Sequence, residues 1–442
     1  MKKFFHIKTF GCQMNFNDSL KISNILIKKG LRENKNLKKC DILIINTCYI
    51  RENCNNKLYK YIYKIYNKYN NLLFIITGCL SGFLANFLIK KFNFIKVILG
   101  TQGFYYIFNL IKMYYYYKCI QINIGFLKNN EYNIYNKNSS NINYLTIIEG
   151  CNKYCSYCIV PYTRGTEISI YLNIIIFKLL CLNNKYNILL LGQNVSSYKG
   201  KINDISVKTI KFYTLLNYIF QVYNIYNIFF ISSHPQDFCD NLINNFKLNY
   251  KLSNLLHLPI QSFSNKILKL MRRNYNLNKI KYIIYNIKKI KKNIFISTDL
   301  IIGFCYEDNC DFYKTLVFIE KFMLDKSYIY IYSPRPYTKS YYFNFKISQI
   351  IKTKRFNLIN YKIKNNFIYI NKLMLGKIEF ILIKNYFFYN NDIFIGLTNN
   401  NRILYFIFYN INYLYILKKY IKVKIIKIIY NIFYSEILSI YD

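Results

Sequence analysis

The decapeptide Glu149-Gly150-Cys151-Asn152-Lys153-Tyr154-Cys155-Ser156-Tyr157-Cys158 carries the most specific chemistry in the chain. Three residues separate its first two cysteines and two separate the last two. A loop so spaced can turn three thiolates onto one face of an iron–sulfur cube, and three thiolates for four irons leave one iron open. That iron can take the amino and carboxylate groups of S-adenosylmethionine and pass it an electron, while the protein supplies position and electrostatics. The competing reading is zinc, which favours paired two-spaced cysteines and a fourth ligand. No fourth Cys or His lies close by in the sequence.

A second set of cysteines lies in the N-terminal third. Phe4 to Thr9 reads as a strand, and Asp18 or Asn17 as the cap of a helix running to about Lys29. Asp41 to Asn46 reads as a second strand, followed by a helix to about Tyr69, and Leu73 to Thr77 as a third strand. Apolar strands alternating with helices predict a buried parallel sheet, and such sheets gather ligands outside the carboxyl ends of their strands. Cys12, Cys48 and Cys79 each follow one of those ends, so they can converge on a second three-thiolate cluster. The bland alternative is that cysteine is often a small buried hydrophobe. Cys40, Cys54 and Cys119 show that this chain places cysteines without such a pattern.

From Tyr144 onward the pattern is strand then helix, with strands near 144–148, 187–191, 227–232, 254–258, 294–300 and 327–332. Six such units predict an open, partial (β/α)6 barrel whose strand ends carry the functional groups. Those ends hold the Cys151 loop, Gln193 and Asn194, Ser233 and His234, Gln261, Asp299 and Arg335. With Tyr157, the aromatic residue before the third cysteine, they form a polar set able to bind S-adenosylmethionine and an incoming base. His234, before Pro235, reads rather as a turn pin. Lys266 to Arg273 reads as the exposed face of a helix, with phosphate contact as its functional alternative.

The expected fold class is therefore α/β, with a parallel-sheet domain over 1–125, a linker over 126–143 and a barrel over 144–345. The linker is Asn-rich from Asn129 to Asn143. A basic linking helix over 346–372 leads to a small β-barrel over 373–442, signalled by alternation at Gly376 to Lys384 and Ile421 to Ile425. A length of 442 residues suits two or three domains. The formal charge of +42 attracts polyanions, nucleic acid before a membrane surface. Lys, Asn, Ile, Tyr and Phe dominate, Trp is absent and Ala85 is the sole alanine. This bias matches AT-rich codons, so drift accounts for part of the charge. Leu72 to Ile89 reaches the minimum length of a spanning helix, but Thr77-Gly78-Cys79 and Asn86 fit a turn better. With no basic-apolar-small leader pattern at the start, the expected location is cytoplasmic, and thirteen cysteines there point to metal or catalysis rather than disulfides.

Several segments, taken in order, resemble the methylthiotransferase family of radical-SAM enzymes. They are Gly11-Cys12-Gln13-Met14-Asn15, Asn46-Thr47-Cys48-Tyr49-Ile50-Arg51-Glu52, Gly78-Cys79 and Glu149 through Gly165. The resemblance implies two 4Fe-4S clusters, ligated by Cys12, Cys48 and Cys79 and by Cys151, Cys155 and Cys158, with S-adenosyl-L-methionine as cofactor. It implies that one cluster cleaves S-adenosylmethionine to a 5′-deoxyadenosyl radical, and that the other delivers a methylated sulfur to carbon 2 of an isopentenylated adenosine beside the tRNA anticodon. The implied partners are tRNA, an external electron donor and a sulfur source, with no membrane. Gln13-Met14-Asn15 and Arg51-Glu52 favour this branch over sister branches acting on a ribosomal-protein aspartate or on threonylcarbamoyl-adenosine. A non-catalytic RNA-binding iron–sulfur protein is the alternative of another class, and the polar barrel rim argues against it. The terminal barrel resembles the family's RNA-binding TRAM domain, with Gly396 to Arg402 in place of a Gly-Arg-Thr-Glu-Asn-Asn-Arg loop. Two loops depart from the family: Cys305-Tyr306-Glu307 stands where Pro-Gly-Glu is usual, and Tyr337 where glycine is usual. Cys181, Cys239, Cys305 and Cys310 match no family ligand.

Overall fold

A computed structural model of the chain describes residues 3–49, 52–126, 142–182, 186–387, 390–398, 402–407, 420–429 and 432–441. Ile50, Arg51, the greater part of the expected linker and Asn399 to Asn401 lie outside the described residues. The first unit contains strands β1 (Phe4–Thr9), β2 (Arg32–Glu33), β3 (Ile42–Thr47), β4 (Leu73–Gly78), β5 (Ile95–Leu99) and β6 (Gln121–Asn123). Between them run helices α1 (Gln13–Lys28), α2 (Glu52–Lys68), α3 (Ser81–Lys91) and α4 (Ile107–Tyr117). The sheet is parallel, in the order β2-β1-β3-β4-β5-β6. Every residue of β3 and β4 is buried, because helices cover both faces. Leu43, Ile45, Phe74 and Ile76 pack with Leu58, Ile62 and Leu88 on one side, and Ile42, Ile44, Leu73 and Ile75 with Ile22, Leu26 and Ile107 on the other.

Helix α1 corrects one expectation. It starts at Gln13, with Cys12 as its extended flank (φ −96°, ψ 179°), not near Asn17. Asn17 and Asp18 lie inside the helix and are buried, because that face packs on the second unit instead of water.

The second unit holds six main strands: β7 (Ile142–Thr146), β10 (Tyr186–Leu191), β13 (Ile225–Phe230), β14 (Leu255–His257), β15 (Phe295–Ile302) and β16 (Lys326–Ile331). These are the six strands expected from the sequence. Short antiparallel pairs join β8 (Ile148–Glu149) to β9 (Ile168–Ser169) and β11 (Lys199–Lys201) to β12 (Thr209–Lys211). Its helices are α5 (Val160–Arg164), α6 (Leu172–Leu180), α7 (Phe212–Phe220), α8 (Asp240–Leu248), α9 (Asn265–Leu270), α10 (Leu277–Ile290) and α11 (Asn309–Phe322). The main strands form parallel groups, β13-β10-β7 and β14-β15-β16. Ile228 bonds to Lys251 O (2.8 Å) and accepts from Ser253 N (3.0 Å), which carries the arc from one group to the other. Ile188, Leu190, Ile228 and Phe230 face the helices in the main core.

Both loops that depart from the family keep the shape that glycine would give them. Tyr306 and Tyr337 have φ of 63° and 67°, a region costly for a side chain with a Cβ. Glu307 secures the first loop: Oε2 accepts from Gly303 N (3.0 Å) and Phe304 N (3.4 Å), and Oε1 pairs with Arg355 (2.8 Å). Arg355 belongs to α12 (Gln349–Lys372), which packs on the barrel through Ile359.

The last strands, β17 (Ile378–Phe387), β18 (Asn390–Thr398), β19 (Ile403–Ile407), β20 (Tyr420–Ile429) and β21 (Ile432–Tyr441), close into a barrel in the order β17-β18-β19-β21-β20. Alternate residues such as Ile381, Ile383, Leu404, Phe406, Ile421 and Val423 fill it. The turn into β19 is tied down by a buried ion pair between Arg402 and Asp325 (3.0 Å). Among the described residues no helix is long and apolar enough to cross a membrane.

Candidate functional site

The first cysteine triad is assembled by three adjacent strand ends. β1, β3 and β4 are neighbours and run parallel, so the residues after them share one edge. Cys79 N bonds to Thr47 O (2.9 Å), and Phe10 N to Asn46 O (2.8 Å). Two glycines let these turns meet. At Gly11 (φ +149°) a Cβ would lie 2.9 Å from Cys48 Cβ, and at Gly78 (φ +104°) it would overlap Thr47 O. Buried Asn15 and Asn46 then lock α1 to the β3 turn: Asn15 Nδ2 donates to Asn46 Oδ1 (3.0 Å) and Thr47 O (3.1 Å), and Asn46 Nδ2 returns a bond to Asn15 O (2.8 Å). Cys12 is exposed, whereas Cys48 and Cys79 are buried. Burial holds the Cys79 thiol above its ordinary value, and the nearby charge of Arg164 opposes that shift.

The second triad hangs from β8. Gly150 (φ +76°) can take no side chain, since a Cβ would overlap Thr166 O, and Cys151 N bonds to Gly165 O (3.1 Å). Ser156 pins the loop through its N to Met271 O (3.0 Å) and its Oγ to Leu270 O (2.8 Å). Cys158 N closes the turn on Cys155 O (2.9 Å). Burial pushes Cys151 up to about 11 and Cys158 upward as well, each thiol also opposed by its neighbours in the triad. Thiols held as Cys151 and Cys158 are would gain from a cation that takes them as thiolates. Among the described residues no three His, Cys, Asp or Glu side chains are placed to share one metal ion. A cube, whose thiolates bind separate irons, makes no such demand.

A buried chain of charges links the two triads. Arg164, which faces Cys79, pairs with Asp18 (2.9 Å); Lys21 lies 3.9 Å from Asp18 and 3.0 Å from Glu149. Glu149 is two residues before Cys151. All four side chains are nearly inaccessible. Asn17 Nδ2 adds a bond to Thr146 Oγ1 (2.8 Å), and Thr101 Oγ1 one to Thr163 O (2.8 Å). The same burial, with Lys21 close by, lowers Lys178 to about 8.

The expected rim residues fall into three groups. Gln193, Asn194 and Ser233 gather at the ends of β10 and β13 beside His234. Asn194 donates to Asp237 (2.6 Å) and accepts from His234 N (3.1 Å), and Asp237 pairs with Lys153 of the cysteine loop (2.7 Å). Gln193 Oε1, Ser233 Oγ and His234 Nε2 are buried with no partner among the described residues. Buried polar atoms are normally satisfied, so this trio suits a polar ligand. Burial, with Arg273 and Lys153 near, pulls His234 down to about 2, which keeps the imidazole neutral. Gln261 (φ 76°) and Asp299 form the second group, where Gln261 N bonds to Asp299 O (2.8 Å) and Asp299 lies 3.4 Å from His257 Nε2. In the third, Arg335 sits over the Tyr49 ring (5.2 Å), next to Cys48, and Tyr157 packs among Ile267, Met271, Phe304 and Tyr332.

Sequence reasoning missed Asp18, Lys21, Glu149, Arg164 and Arg273 as site residues. Arg273 is the clearest case: it lies past the end of α9 and is buried, not on an exposed helix face. Its Nη1 donates to Cys155 Sγ (3.6 Å), its Nε bonds Tyr275 Oη (2.7 Å), and its Nη2 bonds Pro259 O. A charged residue just beyond a helix was the available signal, but only the fold shows which way it turns.

Residues 4–100 match the family described as "Uncharacterized protein family UPF0004", and residues 145–319 match the Radical SAM superfamily. The chain is 38% identical over 386 residues to the tRNA-2-methylthio-N(6)-dimethylallyladenosine synthase of Buchnera aphidicola subsp. Baizongia pistaciae (strain Bp), covering 86% of each protein. It is 32% identical over 391 residues to the protein of that name from Burkholderia multivorans (strain ATCC 17616 / 249), covering 87% of this chain and 86% of that one. Among solved structures, the cobalamin-dependent S-adenosylmethionine radical enzyme OxsB aligns with a TM-score of 0.47 at 12% identity, over 82% of this chain and 56% of that one.

Proposed function

The chain belongs to the family of tRNA-2-methylthio-N(6)-dimethylallyladenosine synthases, and we propose the residues by which it carries out that family's reaction. It is a radical-SAM methylthiotransferase that uses iron–sulfur clusters and S-adenosylmethionine to convert dimethylallyl-adenosine of tRNA to its 2-methylthio form. The relatives' shared name favours this substrate over a ribosomal-protein aspartate or threonylcarbamoyl-adenosine. The observation that carries the assignment of residues is the pair of cysteine triads, each at strand carboxyl ends, joined by one buried chain of charges. Cys12, Cys48 and Cys79 would hold one 4Fe-4S cluster, and Cys151, Cys155 and Cys158 the other. Bound there with S-adenosylmethionine, the clusters supply hydrogen abstraction from an unactivated ring carbon and the sulfur that replaces the hydrogen.

The chain's own groups position these parts. Gln193, Ser233 and His234 offer unpaired polar atoms to a ligand on the rim, while Asn194 holds the rim's shape through Asp237. Gln261, Asp299, Arg335 and Tyr157 complete the set assigned to the cofactor and the incoming base. Arg164 and Asp18 keep α1 fixed to the cysteine loops, which matters because an ångström of misplacement can cost about 100-fold in rate. The partners are tRNA, an external low-potential electron donor and a sulfur source, in the cytoplasm. The domain assignment follows the sequence division at 125, 143, 345 and 372. The terminal barrel would grip RNA through exposed lysines and tyrosines such as Lys424 and Tyr434.

Changing each triad to alanine tests the division of labour. With Cys12, Cys48 and Cys79 replaced, the reduced protein should still make 5′-deoxyadenosine from S-adenosylmethionine but no methylthio-adenosine. With Cys151, Cys155 and Cys158 replaced, it should make neither product and keep its other cluster, measured as iron content. Sulfur insertion by the first variant would overturn the assignment.

A further inference from the structure

Arg273 is a buried cation with an unusual set of neighbours. Among the described residues it forms no ion pair with a carboxylate; its partners are the Cys155 sulfur, the Tyr275 hydroxyl and the Pro259 carbonyl. Tyr275 cannot balance the charge, because its phenol keeps a proton to donate to Ile260 O (2.8 Å). The nearby cation Lys153 is already matched by Asp237. Arg164 likewise faces a cysteine, Cys79, but Asp18 lies 2.9 Å from its guanidinium. A buried charge without a counter-charge is strongly disfavoured. The only anion that these neighbours can offer Arg273 is the Cys155 thiolate with whatever it ligates.

We propose that Arg273 is the counter-cation of the iron–sulfur cluster held by Cys151, Cys155 and Cys158, and that it raises this cluster's reduction potential. The proposal rests on the cluster assignment above. Three thiolates make the ligated cluster anionic, and reduction adds a further negative charge. A fixed guanidinium therefore stabilises the reduced form more than the oxidised form. It also donates to a ligating sulfur, and hydrogen bonds to cluster sulfurs together with net charge set such potentials. In the step concerned, the cluster gains one electron from an external low-potential one-electron donor, and Arg273 stays protonated throughout. Arg273 is thus a positioning residue that acts through the cluster. Arg164, already paired, should have a smaller effect on its own cluster.

The experiment is a mediated potentiometric titration of the reconstituted full-length protein, followed by EPR of the signal that changes when S-adenosylmethionine is added. Such a signal in the unaltered protein establishes the cluster, and its absence there would refute the cluster assignment rather than the role of Arg273. In Arg273→Gln the ratio of reduced to oxidised cluster at a fixed potential should fall at least tenfold, a downward shift of about 59 mV or more for one electron. Arg273→Lys keeps the charge and should stay within about threefold of the unaltered protein, a smaller shift on the same one-electron scale. Equal midpoints in the Gln variant and the unaltered protein would overturn the proposal, as would equal lowering in Gln and Lys. If the Gln variant fails to hold iron, retention by Lys supports the counter-ion role. Loss by both makes Arg273 a scaffold and overturns it.

Discussion

Tyr337→Gly and Tyr337→Ala should differ in stability in the direction opposite to the usual one. Tyr337 adopts φ of 67°, the residue is 64% exposed, and its ring meets Phe83 edge-on at 5.0 Å. Left-handed backbone costs an L-residue roughly 1–2 kcal/mol, a cost glycine escapes. Both substitutions delete the same ring, so their difference isolates the backbone. In an ordinary loop alanine wins by about 0.4–1 kcal/mol, because it restricts the unfolded chain. Subtracting that from the left-handed cost leaves glycine ahead by about 0.5–1 kcal/mol. For a unit of this size the gain corresponds to roughly 1–4 °C in Tm. Thermal and urea unfolding followed by far-UV circular dichroism would measure it. An alanine variant as stable as the glycine variant would refute the claim that the loop stores backbone strain. Tyr306, at φ of 63°, should show the same Gly–Ala order. There the ring also meets Phe343 and Phe345 (5.9 and 5.7 Å), so both variants should fall further below the unaltered protein.

Lys21→Met would leave Asp18 and Glu149 to share Arg164 in a buried site, at a cost of about 3–5 kcal/mol. Lys21→Met/Glu149→Gln should recover most of that in a double-mutant cycle read by urea unfolding, and a single-variant cost below about 1 kcal/mol would instead mark a solvent-screened pair. Gly150→Ala should displace the Cys151 loop and lower bound iron by about half, to about four per chain, with little change in circular dichroism. His234 stays neutral in the fold down to about 2, whereas the unfolded chain binds a proton below about 6.5. The unfolded state then holds the extra proton, so stability should fall as pH drops from 7 to 5, by up to about 1.4 kcal/mol per unit. His234→Gln should flatten that slope in urea midpoints. Affinity for tRNA should weaken steeply with salt, and removal of residues 375–442 should lower affinity more than it lowers cleavage of S-adenosylmethionine.

What could be read from the sequence was what local spacing controls. The buried runs at 42–47 and 73–78 announce central strands because both faces must be apolar. Cys12, Cys48 and Cys79 follow from those strands by one further step, since parallel neighbours end on the same edge. The start of α1 was misplaced for the converse reason. Asn17 and Asp18 look like capping residues in isolation, but their partners Thr146 and Arg164 lie more than a hundred residues away. Lys266 and Arg273 show the same contrast within eight residues. Lys266 is exposed and pairs with Asp308, as the helix-face reading expects, while Arg273 turns inward to a loop that no periodicity connects to it. The short edge strands β2 and β6 have too few residues to show any pattern.

The seat of the small barrel sets a distance. Arg402 reaches Asp325, which immediately precedes β16, and lies over the ring of Phe295, the first residue of β15. Both contacts are at the amino ends of their strands, whereas the Cys151 loop follows the carboxyl ends of the same architecture. The span between them is that of a six-residue strand, roughly 20 Å at the usual rise. Should the small barrel grip RNA as proposed above, that RNA would have to bridge this gap before any of its bases meets the rim. If it does, choice of nucleotide would become partly a matter of measured reach, with the two modules as the jaws of a caliper whose opening the Arg402–Asp325 pair helps to set.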